Sequence, residues 1–271
     1  MVSFDLMRVH PELPSIDARL VESETRYEMY DGELVYVPPA DAPHGERHSK
    51  VSALVEAHAR VDFNVASDML TRTSRTSDIA PDVSVYPRAP DPVTGGRQLE
   101  QLAFEVVSTQ SLSRAGVKAA KLAERGVRRV FAIDVERERA LEWSAALDTW
   151  TLLDAGAHIE DTAFAAPLPV EALVHAANTD DAVARALLRK RNAVLEEHRA
   201  SARAEGLSEG LTRGRAQAAS ELVLDVLAAR GIALTLADRA RILDEQGPDQ
   251  LRRWGIRAAT CASAAELFAE R

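Results

Sequence analysis

The sequence predicts a mixed α/β core followed by an all-helical appendage, and three observations carry that expectation. Two aromatic-bearing apolar stretches flank Asp31-Gly32 in "RYEMYDGELVYVPP". Two apolar runs of strand length, "QLAFEVVS" and "VRRVFAIDV", bracket a helical stretch. From about Asp180 the chain turns to long runs rich in Ala, Arg, Glu and Leu.

Asp-Gly between apolar runs is a strong signal for a tight hairpin, so a strand is expected on each side, stopped by Pro38 and Pro39. "GERHSKVSALVEAHARV" places Val51, Leu54, Val55 and His58 at helical spacing and reads as the first core helix. "SDMLTRTSRTSDIAPDVSVYPRAP" reads as short strands, the best over 79–86, and "DPVTGGR" as a loop. The runs around "AFEVVS" and "FAIDV", with a helix over 112–125 between them, form a strand-helix-strand unit. Such a unit implies neighbouring parallel strands joined by a right-handed crossover. "ALEWSAALDTWTLLDAG" closes as a hairpin.

The domain reading is a core over residues 1–178, a long helical connector over 179–231 and a small helical unit over 232–271 broken at Gly247-Pro248. Gly206, Gly210 and Gly214 recur every four residues in the connector. Either they let two helices approach closely, or they soften a connector, at about 1 kcal/mol each against Ala.

With 46% hydrophobic and 28% charged residues, the 271-residue chain is expected to fold rather than stay disordered. The single Cys261 excludes an internal disulfide framework and any Cys-rich zinc site. The opening "MVSFDLMRVHPELPS" lacks a signal-peptide pattern, which leads to an expectation of a cytoplasmic protein. No run approaches the roughly 18 apolar residues that a membrane helix needs. A net charge of -9 argues against a general nucleic-acid coating protein. Locally the sign reverses: Arg114, Lys118, Lys121, Arg125, Arg128 and Arg129 stand against only Glu124 over 114–129. No P-loop, G-x-S-x-G elbow or dinucleotide fingerprint occurs.

Glu105 is a lone carboxylate in an apolar strand, where desolvation costs several kcal/mol unless a cation pairs with it. Asp82 in "APDVSVY" stands 23 positions earlier, enough for a loop and a return on an adjacent strand. Two close carboxylates repel unless a cation neutralises them, and oxygen donors with water suit Mg²⁺. The competing reading is two strand-end acids facing solvent. Arg114, Lys118, Lys121 and Arg125 are spaced by four, three and four, so they share one helical face directly after the Glu105 strand. In "HGERH", His44 and His48 would share a face as a zinc pair does, but the order is not that of a zincin. A zinc deaminase would further need a later P-C-x-x-C, which one cysteine cannot supply. An ordinary helix-entry or cleft histidine is the simpler reading.

Asp82, then "FEVVS", then a Lys on the next helix resembles the PD-(D/E)XK nuclease superfamily. Within it, "YEMYDGELV", "PDVSVY", "FEVVS" and the pattern from Lys118 through Gly126-Val127 to Asp134 resemble the Uma-two type restriction endonuclease family over roughly residues 26–150. The resemblance implies a restriction-endonuclease-like mixed sheet flanked by helices, and Mg²⁺-dependent phosphodiester hydrolysis with Mn²⁺ as a substitute. It implies metal ligation by Asp82, Glu105 and the Val106 carbonyl, with Lys118 as catalytic lysine and Lys121 as the alternative. Glu33 matches an acidic position that reaches the metal or a water, and His48 a histidine near the start of the first helix. The superfamily's usual E-x-K lysine position holds Val107, Leu122 stands where relatives often have Tyr, and Arg128-Arg129 replace a common Pro-Glu. Arg114, Lys121, Arg125 and His48 are then expected on nucleic acid. DNA is the expected partner, with RNA left open, and a homodimer through the C-terminal helices would supply two cutting sites. The alternative is an inactive nuclease-fold scaffold that binds DNA or assembles partners.

Overall fold

The computed structural model describes residues 13–22, 25–108, 112–175 and 178–269. Most of the opening stretch, from which the lack of a signal peptide was read, therefore lies outside the described residues. The chain divides into two compact units, Met1–Asn192 and Ala193–Arg271.

In the first unit, β1 (Tyr27–Tyr30) and β2 (Glu33–Tyr36) form an antiparallel hairpin. Asp31 and Gly32 at its turn have φ of 50° and 91°, the left-handed pair that matches the twist of a two-residue hairpin. Helix α1 (Ala42–His58) starts at Asp41, whose carboxylate accepts the His44 backbone N–H at 2.9 Å, with Pro43 in the first turn where no donor is needed. Strands β3 (Phe63–Ser67), β4 (Thr71–Arg72), β5 (Asp78–Ile79) and β6 (Val83–Pro87) follow. After them come β7 (Leu102–Val107), α2 (Leu112–Arg125), β8 (Arg129–Asp134), β9 (Arg139–Ser144) and β10 (Thr149–Leu152). A short pair, β11 (His158–Ile159) and β12 (Leu168–Pro169), leads into α3 (Val170–Val174) and α4 (Thr179–Arg189).

The main sheet has the order β10-β9-β8-β7-β6-β3 and is mixed: β7 and β8 are parallel, and every other pair is antiparallel. The parallel pair is the expected strand-helix-strand unit, with α2 as its crossover. A second, antiparallel sheet runs β2-β1-β5-β4. The single strand expected over 79–86 is in fact divided: Ile79 ends β5 in one sheet and Val83 begins β6 in the other. Ala80-Pro81-Asp82 is the crossing between them. Pro81 has no N–H to give a ladder, and the Asp82 carboxylate instead accepts the Val106 N–H at 2.5 Å.

Side-chain alternation along β7 decides which layer each residue enters. Leu102, Phe104 and Val106 join α1, α3 and Phe131 in the largest apolar cluster, where the Phe104 and Phe131 rings stack at 5.0 Å. Ala103, Glu105 and Val107 face the α2 layer, with Ala103 packed among Ala119, Leu122 and Val130. On α2, a Cβ at Gly116 would lie 3.2 Å from the Trp143 ring, so a glycine there lets the helix settle onto Trp143 and Trp150.

Helix α4 belongs to this first unit and not to a connector. Ala182 and Ala186 are buried, and the Lys190 ammonium donates to the Glu56 carbonyl on α1 at 3.2 Å. The helical run then breaks at Arg191, which has φ of 54°. The boundary therefore falls after Asn192 and not at 178.

At the end of α1, buried His58 donates from Nδ1 to the Leu54 carbonyl at 2.8 Å and meets the Phe164 ring edge-on. Burial holds its pKa below the ordinary histidine value. The hydrogen bond to Leu54 opposes that shift, while Lys190 and Arg189 add to it. The unfolded chain then binds the proton more readily, so stability is intact above the unfolded value of about 6.5 and is lost as pH falls below it. Urea unfolding of wild type and His58→Asn should show a shallower pH slope for the variant between neutral pH and the folded His58 value. Equal slopes would contradict the assignment.

The second unit is one long helix, α5 (Ala193–Ala229), with α6 (Leu236–Leu243), α7 (Pro248–Ala258) and α8 (Ala264–Leu267). Val223 and Leu227 of α5 form a core with Ile242, Leu251, Trp254 and Leu267. Before Ala216, α5 buries no residue, and no side chain comes within 4 Å of a Cβ built at Gly206, Gly210 or Gly214. Among the described residues, no helix is long and apolar enough to cross a membrane.

Candidate active site

A cleft of about 520 Å³ opens where the two sheets of the first unit meet α2 and the start of α1. A larger cavity, about 640 Å³, lies by His58 and α4. It holds no buried lysine among carboxylates, which makes the smaller cleft the candidate.

Lys118 is the centre of the site. Its ammonium donates to the Ala80 carbonyl at 2.6 Å and to Glu105 Oε2 at 3.0 Å, and lies 3.3 Å from Glu28 Oε1. Two are hydrogen bonds and the third is an ion pair. Each belongs to a different element: Ala80 to the crossing after β5, Glu105 to β7 and Glu28 to β1. Both Glu28 oxygens are in turn occupied, since Oε1 also accepts the Ala80 N–H at 2.9 Å and Oε2 accepts the Tyr30 hydroxyl at 2.7 Å.

Glu105 is not saturated. Oε2 takes Lys118, while Oε1 is buried with no hydrogen-bond partner among the described residues. Burial pushes this carboxyl well above the ordinary glutamate value; Lys118 opposes the shift, and the charges of Asp82 and Glu28 add to it. Lys118 itself stays protonated. Its own burial works against the charge, but Glu105, Glu28 and Asp82 together outweigh it and hold the pKa well above the ordinary lysine value. Tyr30 is held as the neutral phenol by burial.

Asp82 sits beside them at the start of β6. One carboxylate oxygen is fixed by the Val106 N–H, and Oδ1 lies 3.7 Å from His44 Nε2. A strand residue's N–H and C=O point to the same edge, so the Val106 carbonyl faces the Asp82 side too. His48 Nε2 lies 2.7 Å from the Asp82 backbone carbonyl, and Asp68 N–H donates to that same oxygen at 3.2 Å. His44, His48 and Asp82 each bring a ligand atom within 4.8 Å of the others.

Several carboxylates against one lysine, with one buried oxygen unclaimed, is a donor set short of positive charge. A divalent cation fits it on charge and on oxygen chemistry.

Asp82, Glu105, Lys118, His48, Arg114 and the Val106 backbone thus come together at the cleft. Glu33 does not: it is exposed on β2, the edge strand, with β1 between it and β5. Glu28, on the inner strand of that hairpin, is the acid that reaches the site. The basic face of α2 also divides. Lys121 pairs with Asp31 at 2.7 Å, and the Arg125 guanidinium donates to the Pro14 carbonyl at 2.8 Å, both away from the cleft. Glu28, His44 and Asp68 were not singled out as members of this site by sequence reasoning. No local signal flags Glu28, whereas the four-residue spacing in "HGERH" could have flagged His44 had Asp82 been known to lie opposite.

Residues 12–163 match the model of the Uma2 family, described as "Putative restriction endonuclease", and the chain belongs to that family. A crystal structure of a "putative nuclease belonging to DUF820" from Anabaena variabilis is also similar, with a TM-score of 0.47 and 15% identity over 57% of this chain and 93% of that one. No curated protein matches the chain.

Proposed function

We propose that this protein is a divalent-cation-dependent endonuclease that hydrolyses phosphodiester bonds of DNA. The observation that carries the reading is the Glu105 Oε1 that has no partner among the described residues, buried beside Asp82 in an open cleft, with its carboxylate anchored by a lysine that also binds the Ala80 carbonyl and pairs with Glu28. Asp82 Oδ1, Glu105 Oε1 and the Val106 carbonyl are the groups that would hold the cation, Mg²⁺ or Mn²⁺. When bound, such an ion acidifies a water and offsets phosphate charge.

The chain's own groups do the rest. Lys118 fixes the Glu105 carboxylate and presents a permanent positive charge at the floor of the cleft, where developing negative charge on a phosphate is stabilised. Glu28 is a positioning residue: with both oxygens occupied, it holds Lys118 and the Ala80 backbone in register. Arg114 lines the cleft from α2 and is suited to a phosphate oxygen.

The test is cleavage of plasmid and single-stranded DNA in Mg²⁺ and in Mn²⁺ by wild type, Asp82→Asn and Glu105→Gln. Cutting that needs the ion and is lost in both variants is expected. Folded wild type that cuts neither substrate with either ion would instead favour a scaffold that keeps the nuclease fold without turnover.

A further inference from the structure

The start of α1 brings two imidazoles to the carboxylate that the proposed cation site already uses. His44 and His48 lie one turn apart, with ring centroids 5.9 Å apart and planes at 77°. Val106 N–H occupies one Asp82 oxygen, so Oδ1 is the oxygen left to face them, 3.7 Å from His44 Nε2. Two ligands at bonding distance on one tetrahedral ion stand about 3.4 Å apart, so this pair is within a small side-chain movement of sharing an ion. Both side chains are largely shielded from water, 12% and 13% exposed.

His48 adds a second observation. A carbonyl oxygen only accepts, so the 2.7 Å contact to the Asp82 carbonyl fixes the His48 proton on Nε2 and leaves the lone pair on Nδ1. A hydrogen bond of this kind from one ring nitrogen to a backbone carbonyl is how proteins fix the tautomer and orientation of a ligating histidine. Glu105 Oε1, the buried oxygen without a partner among the described residues, belongs to the same cleft.

We infer that His44 and His48 supply nitrogen donors to the cation held at Asp82, so that this site selects a first-row transition ion over Mg²⁺. The inference rests on the cation-dependent reading above and adds to it the identity of the ion. Oxygen donors and water suit Mg²⁺, whereas imidazole suits later first-row ions, whose affinity for a given N/O site rises from Mn²⁺ through Co²⁺. The competing account is that His44, when protonated, only makes an ion pair with Asp82. That account predicts no nitrogen on the ion.

The experiment is calorimetric titration of Co²⁺ and of Mg²⁺ into wild type, His44→Ala and Glu105→Ala, together with spin-echo spectroscopy of the Mn²⁺-loaded protein. Expected is imidazole-nitrogen modulation in the wild-type spectrum that weakens in His44→Ala. That variant should also lose about ten- to a hundredfold in Co²⁺ affinity while Mg²⁺ binding is unchanged. Absence of nitrogen modulation, or a His44→Ala effect equal for both ions, overturns the inference. If Mg²⁺ binding is lost in Glu105→Ala while His44→Ala changes nothing, the cation-dependent reading stands and only the nitrogen donors fall. If no divalent ion binds wild type, both fall together.

Discussion

Replacing Lys118 with Met is expected to destabilise the first unit by about 3–5 kcal/mol, the usual cost of removing one partner from a buried charge cluster. Met keeps most of the aliphatic stem, so the loss reports the charge more than the packing. Without the ammonium, Glu28 and Glu105 face each other in a site where each carboxylate side chain is 7% exposed, and the Ala80 carbonyl loses its donor. The two acids must then either repel or take up protons. The deficit should therefore shrink on acidification, because protonating the carboxylates removes the repulsion. Urea unfolding of wild type and variant at neutral and acid pH checks this. A neutral-pH loss below about 1 kcal/mol would place Lys118 among weakly coupled surface charges.

Glu105→Gln should behave in the opposite way. The wild-type carboxylate is desolvated, half unpaired and pushed towards its protonated form, so the neutral amide relieves a cost that the folded protein otherwise carries. Without divalent cations the variant is expected to be at least as stable as wild type. Adding Mg²⁺ or Mn²⁺ should raise the wild-type melting point, since an ion that binds only the folded chain contributes about 2.7 kcal/mol at a hundred times its dissociation constant. The variant should not respond. Wild type and variant gaining equally would mean that the ion binds elsewhere, and a marked loss of stability in the variant without cation would mean that the Glu105 charge is needed by Lys118. Functional sites commonly hold such a conflict between stability and activity.

The architecture was legible wherever local chemistry determined it. Asp31-Gly32 specified the first hairpin, and two apolar runs with a helix between them specified the parallel pair β7 and β8. Asp82 and Glu105 were legible as a candidate pair because a carboxylate in an apolar strand demands a cation, whereas Lys118 was singled out through the family resemblance. What could not be read was burial decided at long range. Glu28 alternates with Tyr27 and Met29 as a solvent-facing hairpin acid would, and it is buried only because β5 adds to the far side of β1 and α2 brings up Lys118. Glu33, three residues after Tyr30 across the turn, is one strand too far out.

The basic face of α2 shows the same limit from another side. Periodicity groups Arg114, Lys118, Lys121 and Arg125 on one face, but each element opposite claims a different one: Asp31 holds Lys121 and the Pro14 carbonyl holds Arg125. Likewise nothing in the composition of α4 sets it apart from α5. Its place beside α1 follows from Ala182 and Ala186, whose small side chains permit close packing on a neighbour the sequence does not name.

Helix α5 contains two regimes of stability within one continuous hydrogen-bonded rod. From Ala216 on, opening a turn means exposing Val223, Leu227 and the side chains packed on them, so those residues share the free energy of the helical core. Ahead of Ala216 no residue of α5 is fully buried, three glycines lower the local helix propensity, and side-chain pairs such as Arg213 with Glu209 at 2.8 Å lend support. Unwinding of the stretch ahead of Ala216 therefore costs little per turn and stops where the core begins.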